Sequence, residues 1–120
     1  MHSSGIGKAL LAWYPEERAR DIIARQGLPK FTSLTLTSDT ALLRDLARTR
    51  ERGFAIDDQE RAEGMRCIAA PIFNAYAEPV AALSVSGPAF RVGLSDATRI
   101  GHLVRAAADL VTGATGGTRP

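Results

Sequence analysis

The sequence predicts an α+β domain, an antiparallel sheet with covering helices, and three features carry that prediction. Two runs of strand character, Met65 to Phe73 and Val80 to Ser86, are separated by Asn74-Ala75-Tyr76-Ala77-Glu78, a natural hairpin connection. A short strand, Phe54 to Asp57, precedes them. Segments with helical periodicity stand at both ends of this block rather than between its strands, which favours antiparallel pairing over a parallel crossover sheet.

The elements follow in order. Ser4 precedes Ile6, Ala9, Leu10 and Trp13, spaced i, i+3, i+4 and i+7, so a short first helix is expected with Ser3 or Ser4 as its N-cap. In Tyr14-Pro15-Glu16-Glu17 the proline suits a first helical turn that has no use for its N–H, and the carboxylates meet the positive end of the dipole. A second helix should bury Ala19, Ile22 and Ile23 and stop at Gly27 and Pro29. Phe31 to Leu36 reads as a loop or a covering strand. Thr37 or Ser38 caps a third helix with Leu42, Leu43 and Leu46 inward and Arg44, Asp45, Arg48, Glu51 and Arg52 in water, ended by Gly53. After the strand block, Gly87-Pro88 terminates the sheet. Ser95-Asp96 opens a last helix with the apolar set Ile100, Leu103, Val104, Ala107, Leu110 and Val111, and Gly113 begins a mobile tail over 113–120. Three strands are few for so much helix, and Met1-His2-Ser3-Ser4 begins directly on a helix cap, as in a chain cut from a longer protein.

Composition excludes several classes of function. At 120 residues one core is expected and a multidomain enzyme is not. Apolar residues at 45% and charged residues at 23% argue against disorder or a fibrous repeat, and a net charge of +2 does not point to nucleic acid. Cys67 is the only cysteine, so neither an intrachain disulfide nor a multi-thiolate metal site can form, and a reducing cytoplasm is the expected compartment. The longest apolar stretches fall far short of the ~20 residues that span a bilayer, and no signal peptide is evident, so no membrane partner is expected.

Chemistry concentrates on one predicted sheet face. Alternation puts Met65, Cys67, Ala69 and Pro71 on one side of the first hairpin strand and Val80, Ala82, Ser84 and Ser86 on one side of the second. With an even number of residues between the paired positions, Cys67 falls opposite Ser84 or Ser86. Hydroxyls on a face otherwise lined by Met, Ala and Val need partners, at a cost of ~1–3 kcal/mol each if unpaired, and a small polar ligand would supply them. Their alternative is a bond to neighbouring backbone or exposure to solvent. Ser3-Ser4-Gly5-Ile6-Gly7 offers free amides at a helix start, where carboxylates or phosphates are held, yet Gly5-x-Gly7 completes neither nucleotide-binding glycine pattern and also fits tight helix packing. Of Asp57 and Asp58, alternation lets one face a pocket; Asp58, Glu60 and Glu63 read as a solvated acidic loop. His2, Asp57 and Cys67 match no closed zinc spacing, and no metal or cofactor is expected. No histidine is placed to activate Cys67, so no catalytic group is assigned. The arginines of the third helix, interleaved with acids, describe a wet helix face rather than a phosphate track.

The segments SSGIGKALLAW, GFAIDDQE, EGMRCIAAPIF and PVAALSVSGPAFR, in this order and at these spacings, resemble the effector-binding domain of the IclR family of bacterial transcriptional regulators. The resemblance runs from about Ser3 to about Val111. It implies a GAF-like (profilin-like) fold holding a small metabolite, often a carboxylate or an aromatic acid, with a sensor domain over residues 1–112. It also implies that the opening strands of that domain, and the winged helix-turn-helix that precedes it in the family, are absent from this chain, so that DNA is a partner only through the missing domain. Family pocket positions fall on the backbone of Gly5 and Ile6, on Asp57, on Met65 and Cys67, and on Ser84 and Ser86; Ser4 is added from its helix-cap role. The expected mechanism has a ligand carboxylate accepting from the Gly5 and Ile6 amides and from both serine hydroxyls inside an enclosed hollow, while Asp57 selects a donor on the ligand. Binding then favours one arrangement of a homodimer or homotetramer, and no bond is made or broken. The competing readings are an oligomerisation module with a filled core, a thiol enzyme using Cys67, and a direct DNA binder.

Overall fold

A computed structural model describes residues 1–120. Four helices, α1 (Gly5–Trp13), α2 (Glu16–Gln26), α3 (Asp39–Arg52) and α4 (Leu94–Ala114), accompany one sheet of three antiparallel strands, β1 (Ala55–Asp58), β2 (Met65–Phe73) and β3 (Pro79–Pro88), in the order β1-β2-β3. Local chemistry explains most of the boundaries. Ser4 caps α1 and Ser38 caps α3, each accepting a hydrogen bond from the backbone N–H three residues on. Gly27 and Gly53 end α2 and α3 at φ of 71° and 91°, where a side chain would be strained. Pro15 sits at the N-cap of α2, one position before its first turn.

The sheet separates two hydrophobic clusters. On one side α4 packs Ala97, Val104 and Ala108 against Phe54, Ile68 and Ala70. On the other, Leu11 and Ala12 of α1, Ala19 and Ile23 of α2, and Leu42 and Leu46 of α3 form a helical core. Between α1 and the sheet lies a layer of small residues, Ala9 on Ala55 and Ala69, with Ala82 beside them. Small side chains let the helix approach the strands closely, so the start of α1 is pressed onto the sheet face.

Register decides which residues share that face. Phe73 pairs with Pro79 across the five-residue turn, and that register continued would set Cys67 opposite Val85. A bulge between Ile72 and Phe73 leaves Val80 unpaired and moves the register by one, so Cys67 pairs with Ser86 and Ala69 with Ser84.

Several expectations need correction. The buried residues of α1 are Gly5, Gly7, Lys8, Ala9, Leu11 and Ala12, while Ile6 is exposed, because the helix is gripped by the sheet on one flank and by α3 on the other. Phe31 to Leu36 forms no strand; it is a strap whose Thr32 and Thr35 hydroxyls donate to the carbonyls of Gln59 and Glu60. α4 starts from Gly93 without a side-chain cap, so Ser95-Asp96 lies inside it. It runs through Gly113, and the last residues fold back, Gly117 N–H donating to Thr112 O and Thr118 N–H to Asn74 O. Leu103 and Leu110, expected in its apolar set, are 61% and 76% exposed, because Ala97, Gly101, Val104, Ala108 and Thr112 turn to the sheet instead.

Candidate functional site

Two rows of side chains cross the face beneath α1. Asp57 of β1, Cys67 of β2 and Ser86 of β3 stand side by side, and the next row is Ala55, Ala69 and Ser84. Met65, paired with Pro88, extends the face at the open end of the hairpin. Above them, Gly5 lies so close to Cys67 that a Cβ added there would stand 2.8 Å from Sγ, which is why the first residue of α1 carries no side chain. Neither the Gly5 nor the Ile6 N–H has an acceptor in the protein, since the first bonds of α1 are those of Gly7 to Ser4 Oγ and of Lys8 to Ser4 O. Two free amides, a thiol, a buried carboxylate and two hydroxyls therefore bound one region, and such a set can accept an anion at one end and a hydrogen-bond donor at the other.

Of the residues singled out from sequence, Gly5, Asp57, Cys67, Ser84 and Ser86 are thus brought together. Ser4 is committed to its cap, and Ile6 and Met65 are each 43% exposed at the margins. Ser84 and Ser86 are exposed and bond no protein group. The enclosed hollow expected among these groups is not formed: β3 is an edge strand, so the face lies open on that side. The clefts of the chain lie elsewhere, one between Trp13, Phe73, Arg50, Arg105 and Arg119, one between α1, α2 and α3, and one beside the hairpin turn. The arginines of the first cleft are partly spent, Arg50 donating to Ala12 O and Arg105 to Arg52 O at the carbonyl ends of α1 and α3.

Behind the face stands a charged cluster that sequence reasoning missed. Lys8 is fully buried, and its Nζ donates to Asp45 Oδ2 at 2.8 Å, to Glu60 Oε2 at 3.0 Å and to Ile56 O. Glu60, read above as solvated, is 5% exposed; its Oε2 also accepts from Asp58 N–H, and its Oε1 has no partner. Asp57 Oδ1 accepts from Glu60 N–H at 2.8 Å. Burial pushes the carboxyls of both Asp57 and Glu60 above their ordinary range, opposed in each case by Lys8 and by backbone hydrogen bonds. Asp58 is only half-buried and pairs with Arg66 at 2.6 Å, and Glu63 is exposed as expected. A signal for Lys8 was present in the segment GIGKALLAW: a helix with no polar face leaves its lone charge nowhere to go but inward, toward a counter-charge.

Comparison with known proteins adds an independent line. A family model described as the bacterial transcriptional regulator IclR C-terminal matches residues 1–112. The transcriptional repressor IclR of Escherichia coli K12 is 48% identical over 119 residues, 99% of this chain and 43% of that protein. The chain therefore spans well under half of that relative. Among solved structures, the C-terminal domain of the E. coli regulator KdgR superposes with a TM-score of 0.88 at 34% identity, over 96% of this chain and 70% of that one. The inducer-binding domain of a PobR double mutant from Acinetobacter, in complex with 3-hydroxybenzoic acid, superposes with a TM-score of 0.84 at 27% identity, over 92% of this chain and 64% of that one.

Proposed function

The chain belongs to the IclR family of bacterial transcriptional regulators, and on that premise we propose that it forms the greater part of a sensor domain whose open face, between the start of α1 and β3, receives a small carboxylate or aromatic acid. The observation that carries this reading is the row Asp57, Cys67 and Ser86 lying under two unpaired amides. The ligand carboxylate takes the Gly5 and Ile6 N–H groups and the hydroxyls of Ser84 and Ser86, which have no other protein partner. Asp57 accepts from a hydroxyl on the ligand. The complex of a structural relative with 3-hydroxybenzoic acid supports an acid of this size.

In the intact regulator, strands preceding this segment pair with the free edge of β3 and close the face, and a winged helix-turn-helix reads DNA. This is the division of labour of a cytoplasmic repressor rather than an enzyme; no helix here is long and apolar enough to cross a membrane. Exposed Leu103 and Leu110 on the outer face of α4 support self-association. Ligand binding shifts DNA affinity only insofar as the acid prefers one oligomer arrangement to another.

Thermal unfolding of the intact regulator with acetate, small hydroxy and oxo acids, and 3-hydroxybenzoate tests the reading. At a concentration about a hundred times Kd, a bound acid stabilises by ~2.7 kcal/mol. At least one acid should raise the Tm of the wild type, and Ser84→Ala with Ser86→Ala should lose most of that rise. A panel without effect, or a double variant that keeps the full rise, sinks it.

A further inference from the structure

We propose that Lys8, which does not face the ligand, is a positioning residue for Asp57, holding the peptide units on both sides of that carboxylate. The geometry is specific. Its Nζ donates directly to Ile56 O, the carbonyl of the peptide that enters Asp57. Through Glu60 Oε2 it reaches the N–H of Asp58, in the peptide that leaves Asp57. Glu60 closes the ring from the other side, its own N–H bonded to Asp57 Oδ1. Lys8 thus clamps β1 around one residue, and Asp45 of α3 anchors the clamp.

Position along the chain strengthens the inference. Lys8 lies three residues, about one helical turn, beyond Gly5. A single side chain therefore ties the helix that presents the free amides to the strand that presents the carboxylate. A lysine recruited for stability alone would need its three acceptors, but those acceptors would not have to bracket a residue of the sensing face. The groups that face Asp57 are Lys8 from α1, Cys67 from β2, and Asp58, Glu60 and the Arg61 amide from its own strand and the following loop.

The inference deepens the sensor reading and rests on it for its meaning, yet it can be tested without any effector. Cys67 is paired with Asp57 across the strands, so the rate of its alkylation by anionic iodoacetate divided by the rate with neutral iodoacetamide at the same pH, mapped on its own peptide by mass spectrometry, reports how closely the carboxylate is held. The intact regulator is compared in two backgrounds, native and K8M/E60Q, the second of which removes both members of the Lys8–Glu60 ion pair together. In the native background D57N should raise that ratio about threefold, because a facing carboxylate repels the anionic reagent. In K8M/E60Q the same change should raise the ratio by less than half as much. Equal changes in the two backgrounds overturn the proposal, and so does a native protein whose ratio ignores D57N. If K8M/E60Q does not fold, Glu60→Ala alone, which keeps Lys8 on Asp45 and Ile56 but removes its link to Asp58, provides the second background under the same criterion. Loss of acid binding with normal Cys67 behaviour would instead count against the sensor reading.

Discussion

Charge is the part of this chain in which individual residues depart most from their surface expectation. A carboxylate whose folded pKa is raised binds its proton more tightly in the native state than in the unfolded one. Stability from that group is therefore fully present below its ordinary pKa and is lost as pH rises through the raised value. Glu60 is such a group, lifted by burial from its ordinary 4.5. Glu60→Gln does not titrate and mimics the protonated acid that the buried site favours, so the variant should match the wild type most closely near pH 4.5, the ordinary value. Its stability relative to the wild type should then rise toward pH 7, where only the wild type bears a buried ionised carboxylate. Thermal unfolding of both proteins across that range checks it; a variant that loses stability relative to the wild type toward neutrality would mean that the Lys8 ammonium outweighs burial. None of this was legible in DDQERAEG, where Asp58, Glu60 and Glu63 read as a solvated acidic loop. What buries Glu60 is remote in sequence: the strap threonines 32 and 35, and a lysine 52 residues earlier. The face residues were legible, because strand alternation is local and survives without knowledge of the partners.

At the scale of elements, α4 shows how a pattern can be right in type and wrong in phase. Its helical period is plain in the sequence, but the large residues Leu103 and Leu110 lie on the outer side, since the sheet accepts small residues where Phe54 already fills the space. Two glycines on that helix make the point measurable. A Cβ on Gly101 would run into the Phe54 ring, whereas one on Gly113 would meet nothing within 4 Å. Gly101→Ala should cost ~1–3 kcal/mol by overpacking, and Gly113→Ala should add up to ~1 kcal/mol by improving helix propensity. Thermal unfolding of the two variants should move in opposite directions, and a Gly101→Ala protein as stable as the parent would mean that α4 is not seated on Phe54. β3 has a similar lesson. Its alternation was legible, but its register turned on a single bulged residue, Val80, which the residue types of the hairpin do not reveal.

For the molecule as a whole, the sequence pattern pointed to an α+β fold, and the family model and structural neighbours agree. The enclosed hollow did not appear, because β3 has no neighbouring strand and the face beside it stays open. The slab that remains, 18 Å in its shortest extent, holds one sheet with helices on both faces and one edge unpaired over the ten residues of β3. That edge is bordered by the serines, and the arginine-lined cleft beside Trp13 offers the main rival location for an acid. Calorimetric titration of the intact regulator with the acid that stabilises it most decides between them. Hydrogen bonds to a charged group contribute ~1.5–3 kcal/mol each, so S84A/S86A should weaken binding at least about tenfold while Arg50→Gln leaves Kd unchanged. Unaltered affinity in the serine variant, with loss in Arg50→Gln, would contradict the account.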